Sequence, residues 1–364
     1  MSLTWMDTSP ALASPAPVRR AQAIFLGLIA LHLMVALGVT SRIELVHNAD
    51  LILAKSLFAI LIMLGPFTLF VLGLRRLVLM AVVERPDRPL AVFLTTLREV
   101  FLDLPRMATG TMLLAAIIVF VAAFGYLKAA VPVLNPFSWD VTFMRMDRAL
   151  FLGHDAWQVL RPLSFTPAIT TALNAAYHFW LLVMYFFVLV ACFARADARL
   201  RMTFLIAFVL VWALGGNFLA TVFSSAGPVF YERLGLGADF APLMTTLAGF
   251  DRVSSVWALD VQEKLWRGYI DPAVPALGIS AFPSMHLAST TLLALAAAGW
   301  RRWAGWLMAG FTAVIFVGSI QLGYHYAVDS IAGILLAIGF WRLAAAICRD
   351  LPGRDQPAPA SRAT

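Results

Sequence analysis

Two short stretches of this chain hold the residue types that chemistry at phosphorus needs: Phe282-Pro283-Ser284-Met285-His286 and Gly323-Tyr324-His325-Tyr326-Ala327-Val328-Asp329. One imidazole can attack phosphorus, a second can protonate a departing oxygen, and a carboxylate can hold the first ring in its working tautomer. His325 and Asp329 are four apart, so a helix beginning near Tyr324 would put them on one face, with the carboxylate accepting from one ring nitrogen. The other nitrogen is then the nucleophile. Ser284 follows Pro283 and is placed to cap a helix whose free N–H groups can bind a phosphate oxygen; the cap alone explains it equally well. No H-E-x-x-H, paired aspartates or cysteine cluster suggests a metal site, and no G-x-x-x-x-G-K-[ST] suggests nucleotide binding, so no cofactor is expected.

The elements that must carry these residues are membrane helices. Of the 364 residues, 61% are hydrophobic and 13% charged, and the mean hydropathy is +0.84, too little polar surface for a soluble globule. The net charge of +7 does not point to nucleic acid, because the Lys and Arg residues fall in short clusters between apolar runs. Eight stretches approach the ~20 residues of a span: 21–39, 51–73, 109–131, 170–193, 202–222, 283–300, 304–322 and 326–347. With eight crossings, the clusters around Arg19, Arg75 to Arg106, Arg195 to Arg201, Arg301 and Arg349 all fall on one side. Both termini are then cytoplasmic, and segments 132–169 and 223–282 lie on the other side. His286 and His325 reach that same outer face from two separately oriented helices. Lone histidines such as His32, His47 and His154 read as packing or interfacial anchors, whereas an ionised Asp329 facing lipid would cost about 2.5–3.5 kcal/mol and needs a partner.

The expected fold class is therefore all-α, a polytopic membrane helical bundle. Residues 1–20 and 348–364 are expected to be disordered and cytoplasmic. Residues 21–108 hold the first two spans and an interfacial helix over 90–104, and 109–347 form the core. The apolar run after Arg19-Arg20 lacks a small-residue cleavage site and reads as a retained helix. Residues 256–269 alternate apolar and charged positions as an amphipathic lid would, and interfacial anchoring by tryptophan explains them equally well. Cys192 and Cys348 lie near cytoplasmic helix ends, where a disulfide is not expected.

The two histidine stretches resemble the second and third motifs of the type 2 phosphatidic acid phosphatase superfamily. Ile279 to Ala288 and Gly323 to Gly333 look like its branch of inositol phosphorylceramide synthases, as do Ser224 to Tyr231 and Asp147 to Gly153. The resemblance implies a six-helix core, with His325 as nucleophile forming a phosphohistidine, Asp329 orienting it, His286 as general acid and Ser284 as a phosphate contact. It places Tyr324, Gly227 and Tyr231 among the substrate-binding residues. His178 and Tyr177, with Asn217, could line the pocket, although helix-packing hydrogen bonds are the plainer role for each. Two phosphate-clamping cations of the superfamily are missing. His154 stands at the lysine position before Arg161-Pro162, and Ser319 stands at the third-motif arginine. Arg267, Arg233, Arg252 or Lys264 in the outer segment could replace them.

These readings lead to a phosphotransferase of a bacterial inner membrane with its site at the periplasmic face. It would move a phosphorylated head group, inositol phosphate in the most specific form, from a lipid donor to a lipid or polyol acceptor. A lipid phosphate phosphatase using water is the alternative enzyme. A transporter or structural membrane protein is the alternative of another class, disfavoured because the ionisable groups sit toward one end and no internal repeat is visible.

Overall fold

The computed structural model describes residues 16–43, 49–194, 197–271 and 273–353, which contain helices and no strand. The helices are α1 (Ala16–Thr40), α2 (Ala49–Leu79), α3 (Pro89–Phe101), α4 (Leu104–Leu134), α5 (Asp140–Leu150), α6 (Ala156–Ser164) and α7 (Pro167–Phe193). They continue with α8 (Ala198–Val222), α9 (Ala241–Asp251), α10 (Trp257–Ile270), α11 (Met285–Trp300), α12 (Arg302–Gln321) and α13 (Ala327–Ile347). Six of them, α1, α4, α7, α8, α12 and α13, are long and apolar enough to cross a membrane. The chain is a multi-pass helical bundle. The two other expected spans coincide with α2, of 31 residues, and α11, of 16 residues. At helical rise α11 is only about 24 Å long, short of a ~30 Å hydrocarbon layer.

Local chemistry sets where these helices start. Asp103, Thr166 and Asp197 each accept a backbone N–H three residues on, capping α4, α7 and α8. Pro167 follows Thr166 at the first helical position, where its missing N–H does no harm. Helix α8 is apolar on every side, and Met202 through Val211 are all buried, so it forms the axis of the bundle. Over Val211–Leu219 it widens into a π-helix. There a Cβ on Gly215 would meet Leu336 at 2.5 Å, and one on Gly216 would meet Phe124 at 2.7 Å. Neighbouring helices therefore approach the backbone of α8 directly.

The segments joining α4 to α7 and α8 to α11 cover one end of the bundle. Short helices α5, α6 and α9 lie there with α10, around an apolar cluster that includes Phe143, Trp157, Tyr231, Phe240, Leu243 and Tyr326. Helices α3 and α10 coincide with the two amphipathic segments read from the sequence. By contrast α5, α6 and α9 were not distinguishable from connecting chain, since each has no more than 11 residues and draws its order from packing on the others.

The chain ends differ from expectation where they are described. Helix α1 begins at Ala16, inside the stretch expected to be disordered, and buries Val18, Ala21 and Phe25. Past α13, Cys348 and Leu351 are buried, and Arg199 donates to the carbonyls of Leu351 and Pro352 at 3.1 and 3.2 Å. The tail is thus fastened to the start of α8 as far as residue 353. The rest of the expected tail, residues 1–15 and His47 lie outside the described residues. Both cysteines are buried free thiols.

The crossing that matters most joins α11 to α13. A Cβ on Gly333 would lie 2.4 Å from the carbonyl oxygen of Ser284, so only glycine permits this approach. Gly333→Ala should destabilise the protein by about 1–3 kcal/mol through forced separation of the two helices. Gly339, with nothing within 4 Å of a Cβ, should tolerate alanine. Thermal unfolding of the two variants in detergent tests this, and equal melting temperatures would contradict it.

Candidate active site

His325 sits in the turn between α12 and α13, its backbone N–H bonded to the Ser319 carbonyl at 3.1 Å. Its ring is buried, and Nδ1 lies 2.8 Å from the carbonyl oxygen of Ala281. A carbonyl can only accept, so Nδ1 carries the hydrogen and the lone pair is on Nε2. Burial holds the ring neutral, pushing its pKa down to about 3; the Ala281 bond opposes that push, and the nearby charge of Lys128 adds to it.

The carbonyl that orients the ring is itself anchored. Ala281 N–H donates to the Ser225 carbonyl at 2.8 Å. The loop through Ser225 is held by Asp140, a buried carboxylate on the first turn of α5 that accepts four hydrogen bonds. These come from Ser225 Oγ, the backbone N–H groups of Ala226 and Gly227, and Tyr326 Oη, at 2.8–3.1 Å. Asp147, two turns along α5, accepts from the free N–H groups of Ala327 and Val328 at 2.7 and 2.9 Å and so caps α13. Asp140 was not recognised in the sequence as part of the site, and Asp147 was noted only as the first residue of a family-like stretch.

Asp329 is placed differently from the expectation. Its Oδ2 is 3.7 Å from His325 Nδ1, beyond hydrogen-bond reach, and accepts instead from the Tyr326 backbone N–H at 3.0 Å. The reason is the helix boundary. Helix α13 starts at Ala327, so His325 lies ahead of the helix and is not stacked one turn above Asp329. The main chain supplies the orienting acceptor, and the Asp329 carboxyl lies 3.7 Å away. Its Oδ1 is buried with no hydrogen-bond partner.

His286 occupies the first turn of α11. Its ring centre is 5.7 Å from that of His325, so the two imidazoles named from sequence do converge. Tyr177 and Trp180 of α7 hold it at 4.1 Å ring-centre distances, and Nδ1 is 3.0 Å from Tyr177 Oη. Tyr177 also stacks on Tyr324 at 5.1 Å, and the Tyr324 ring centre is 6.4 Å from that of His286. Tyr324 Oη donates to the Ala258 carbonyl of α10 at 3.2 Å, and Gln262 of the same helix donates to the Leu322 carbonyl at 2.8 Å. The amphipathic helix is therefore tied to the turn that bears His325.

Other candidates fall into supporting positions. Ser284 is fully buried and its Oγ accepts from Leu287 N–H at 3.5 Å, so it is the α11 cap, with Pro283 one residue ahead of it. Gly227 has φ +96 and sits so close to the Tyr324 carbonyl that a Cβ would lie 2.5 Å from it, a structural requirement for glycine. Tyr231 packs edge-on to Phe240 at 5.2 Å within the apolar cap. His178 is bonded to the Asn174 carbonyl of its own helix at 2.8 Å and faces Trp257 of α10. Asn217 donates to the Phe124 carbonyl at 3.2 Å, a packing role. Arg267 is exposed and paired with Glu263 at 3.0 Å, Arg233 shares that carboxylate, and Arg252 and Lys264 are exposed. None of these four is drawn into the site by a contact. Ser319 bonds to Ser330 and the Phe316 carbonyl, while His154 and Arg161 are exposed.

A family model described as the PAP2 superfamily matches residues 141–343, which run from α5 into α13 and include both histidines. No curated protein and no solved structure matches the chain.

The cap on α13 carries a pH signature. Burial pushes the Asp147 carboxyl up to about 6, against the two backbone bonds, with the neighbouring Asp329 and Asp155 charges adding to the rise. The folded chain therefore holds this proton more tightly than the unfolded chain between roughly pH 4 and 6. Stability from this group should fall as pH rises through that window, by on the order of 2–3 kcal/mol, and level off above it. Melting temperatures of the wild type and Asp147→Asn measured from pH 4 to 7 should differ by that slope; parallel curves would contradict it.

Proposed function

The chain belongs to the PAP2 superfamily of lipid phosphatase and phosphotransferase-type membrane enzymes, and on that premise we propose that it moves a phosphorylated head group from a lipid donor to a hydroxyl acceptor through a phosphohistidine on His325. The observation that carries this reading is the 2.8 Å contact of His325 Nδ1 with the Ala281 carbonyl, which leaves Nε2 with its lone pair free. The Nε2 pair attacks phosphorus, and the bond from phosphorus to the diacylglycerol-like oxygen breaks. That oxygen takes its electron pair and a proton from His286. An incoming phosphate favours the imidazolium form that His286 needs for this step. Asp329, at 3.7 Å, balances the positive charge that His325 gains. In the return half, neutral His286 takes the proton of the acceptor hydroxyl, the acceptor oxygen attacks phosphorus, and the P–N bond breaks with its pair returning to Nε2.

Inositol phosphate is the head group that the motif resemblance favours, with a ceramide-like or glycerolipid acceptor. We take residues 109–347 as the catalytic core, and the positive clusters support a reading with both chain ends cytoplasmic and the site at the periplasmic face of a bacterial inner membrane. The ties from α10 to Leu322 and Tyr324 support transfer over hydrolysis, because a fastened lid limits water at the phosphorylated ring. Hydrolysis of a lipid phosphate remains the second reading, since the same two rings serve it.

Purified protein, a labelled lipid donor and candidate acceptors distinguish the readings. Transfer should require acceptor, His325→Ala should abolish turnover, and His286→Ala should lower it by roughly 10²–10⁴-fold. Acceptor-independent phosphate release would replace transfer with hydrolysis. Full lipid turnover in His325→Ala would remove the chain from this chemistry and favour a transport or structural role.

A further inference from the structure

A phosphoryl group between two imidazoles needs a cation on its non-bridging oxygens, and the superfamily's two clamp positions hold His154 and Ser319 here. Helix α4 brings in a different candidate. Lys128 lies one turn beyond Phe124 on the same face of α4. Phe124 packs on Trp212 at 4.8 Å, Trp212 stacks parallel to Trp180 at 6.4 Å, and Trp180 lies against His286 at 4.1 Å. This aromatic ladder sets the register of α4 relative to the site. A second contact fixes the lysine from the other side. Gly278 has φ +79, and a Cβ there would lie 2.8 Å from Lys128 Cγ and 2.7 Å from its carbonyl oxygen. The glycine lets the chain leading to Ala281 lie directly on the lysine stem, three residues before the carbonyl that holds His325.

Lys128 is half-buried and has no carboxylate partner among the described residues, in contrast to Arg148, Arg233 and Arg267. Its charge reaches both His286 and His325. A half-buried ammonium with no carboxylate partner is unfavourable until an anion arrives. We propose that Lys128 is the phosphate clamp of this site, its ammonium donating to a non-bridging oxygen of the group being transferred while His325 attacks from one side and His286 protonates on the other. The residue lies outside the stretch that matches the family, so the clamp comes from a helix other than those bearing the motif. This inference rests on the phosphoryl-transfer reading above.

Orthovanadate, which adopts the five-coordinate geometry of phosphorus in transfer, is the probe. Its binding to the full-length protein in detergent can be followed by tryptophan fluorescence, because Trp180 and Trp212 line the ladder. Lys128→Gln should weaken vanadate by at least about tenfold, as expected for loss of a charge-assisted hydrogen bond. Lys128→Arg should stay within about threefold of the wild type, since it keeps charge and donors. Arg349→Gln, past the end of α13 away from His325, should bind as the wild type does. Thermal unfolding of each variant confirms that it is folded. If the wild type binds and Lys128→Gln binds equally well, the clamp is overturned and the transfer reading stands. A wild type that takes up no vanadate overturns both.

Discussion

The hydrogen bond from His325 Nδ1 to the Ala281 carbonyl is the constraint on which the site depends, because it alone decides which ring nitrogen keeps a lone pair. Its strength comes from what stands behind it. Ala281 is bonded to Ser225, and the Ser225–Gly227 loop hangs on Asp140, as does Tyr326 next to the histidine. A buried carboxylate is expensive unless its oxygens are satisfied, and four donors satisfy this one. Losing any donor leaves the others bonded, so the loop position is overdetermined. A backbone acceptor also has no rotamer to lose. A side-chain acceptor would have to be held in place by a further set of contacts.

The same economy places His286 against His325. The Ser284 N–H donates to the Asp329 carbonyl at 3.0 Å, and the Ser284 carbonyl rests on Gly333. Main chain meets main chain where α11 and α13 cross, so the two histidines are spaced by backbone contacts that few side-chain changes can alter. Tyr177 then sets the rotation of the His286 ring from a third helix, through one hydrogen bond and one stacked face. Its partner Tyr324 links that stack to α10. Motion of the lid helix would therefore be felt at both rings.

Hydropathy made the bundle legible, since helices that must bury or face lipid along their whole length leave long apolar runs. Arginine clusters made the convergence of His286 and His325 legible, because two helices oriented by different charges pointed them the same way. The orienting carbonyl was illegible for a physical reason: every residue has one, so Ala281 carries no signal of type. Asp140 and Asp147 lie on an 11-residue helix that takes its order from the cap around it, and acidic residues on such a segment look like a solvated face. Tyr231 and Arg267 were misplaced for the converse reason. A family-like stretch suggested a role for Tyr231 and residue type one for Arg267, but packing sent the first into the apolar cap and left the second in solvent beside Glu263. The widened turn of α8 also escapes a reading based on apolar period, although its Gly215-Gly216 pair marks where Met285, next to His286, comes close.

Two groups near the histidines are poorly compensated by the protein itself, and both are improved by the proposed reaction. Asp329 Oδ1 is buried without a hydrogen-bond partner, and Lys128 is half-buried without a carboxylate, among the described residues. In the resting state His325 is neutral and offers neither of them a charge. Once Nε2 is bonded to phosphorus the ring is cationic at 3.7 Å from Asp329, and the phosphoryl oxygens present negative charge toward the lysine. Both mismatches are relieved in the same step. Groups left unsatisfied before reaction and satisfied during it favour the transition state over the ground state, which is the condition for lowering a barrier. The backbone frame around Ala281 and Gly333 holds the two histidines in place during that step. A looser site would let the carboxylate and the ammonium find other partners, and that differential would be lost.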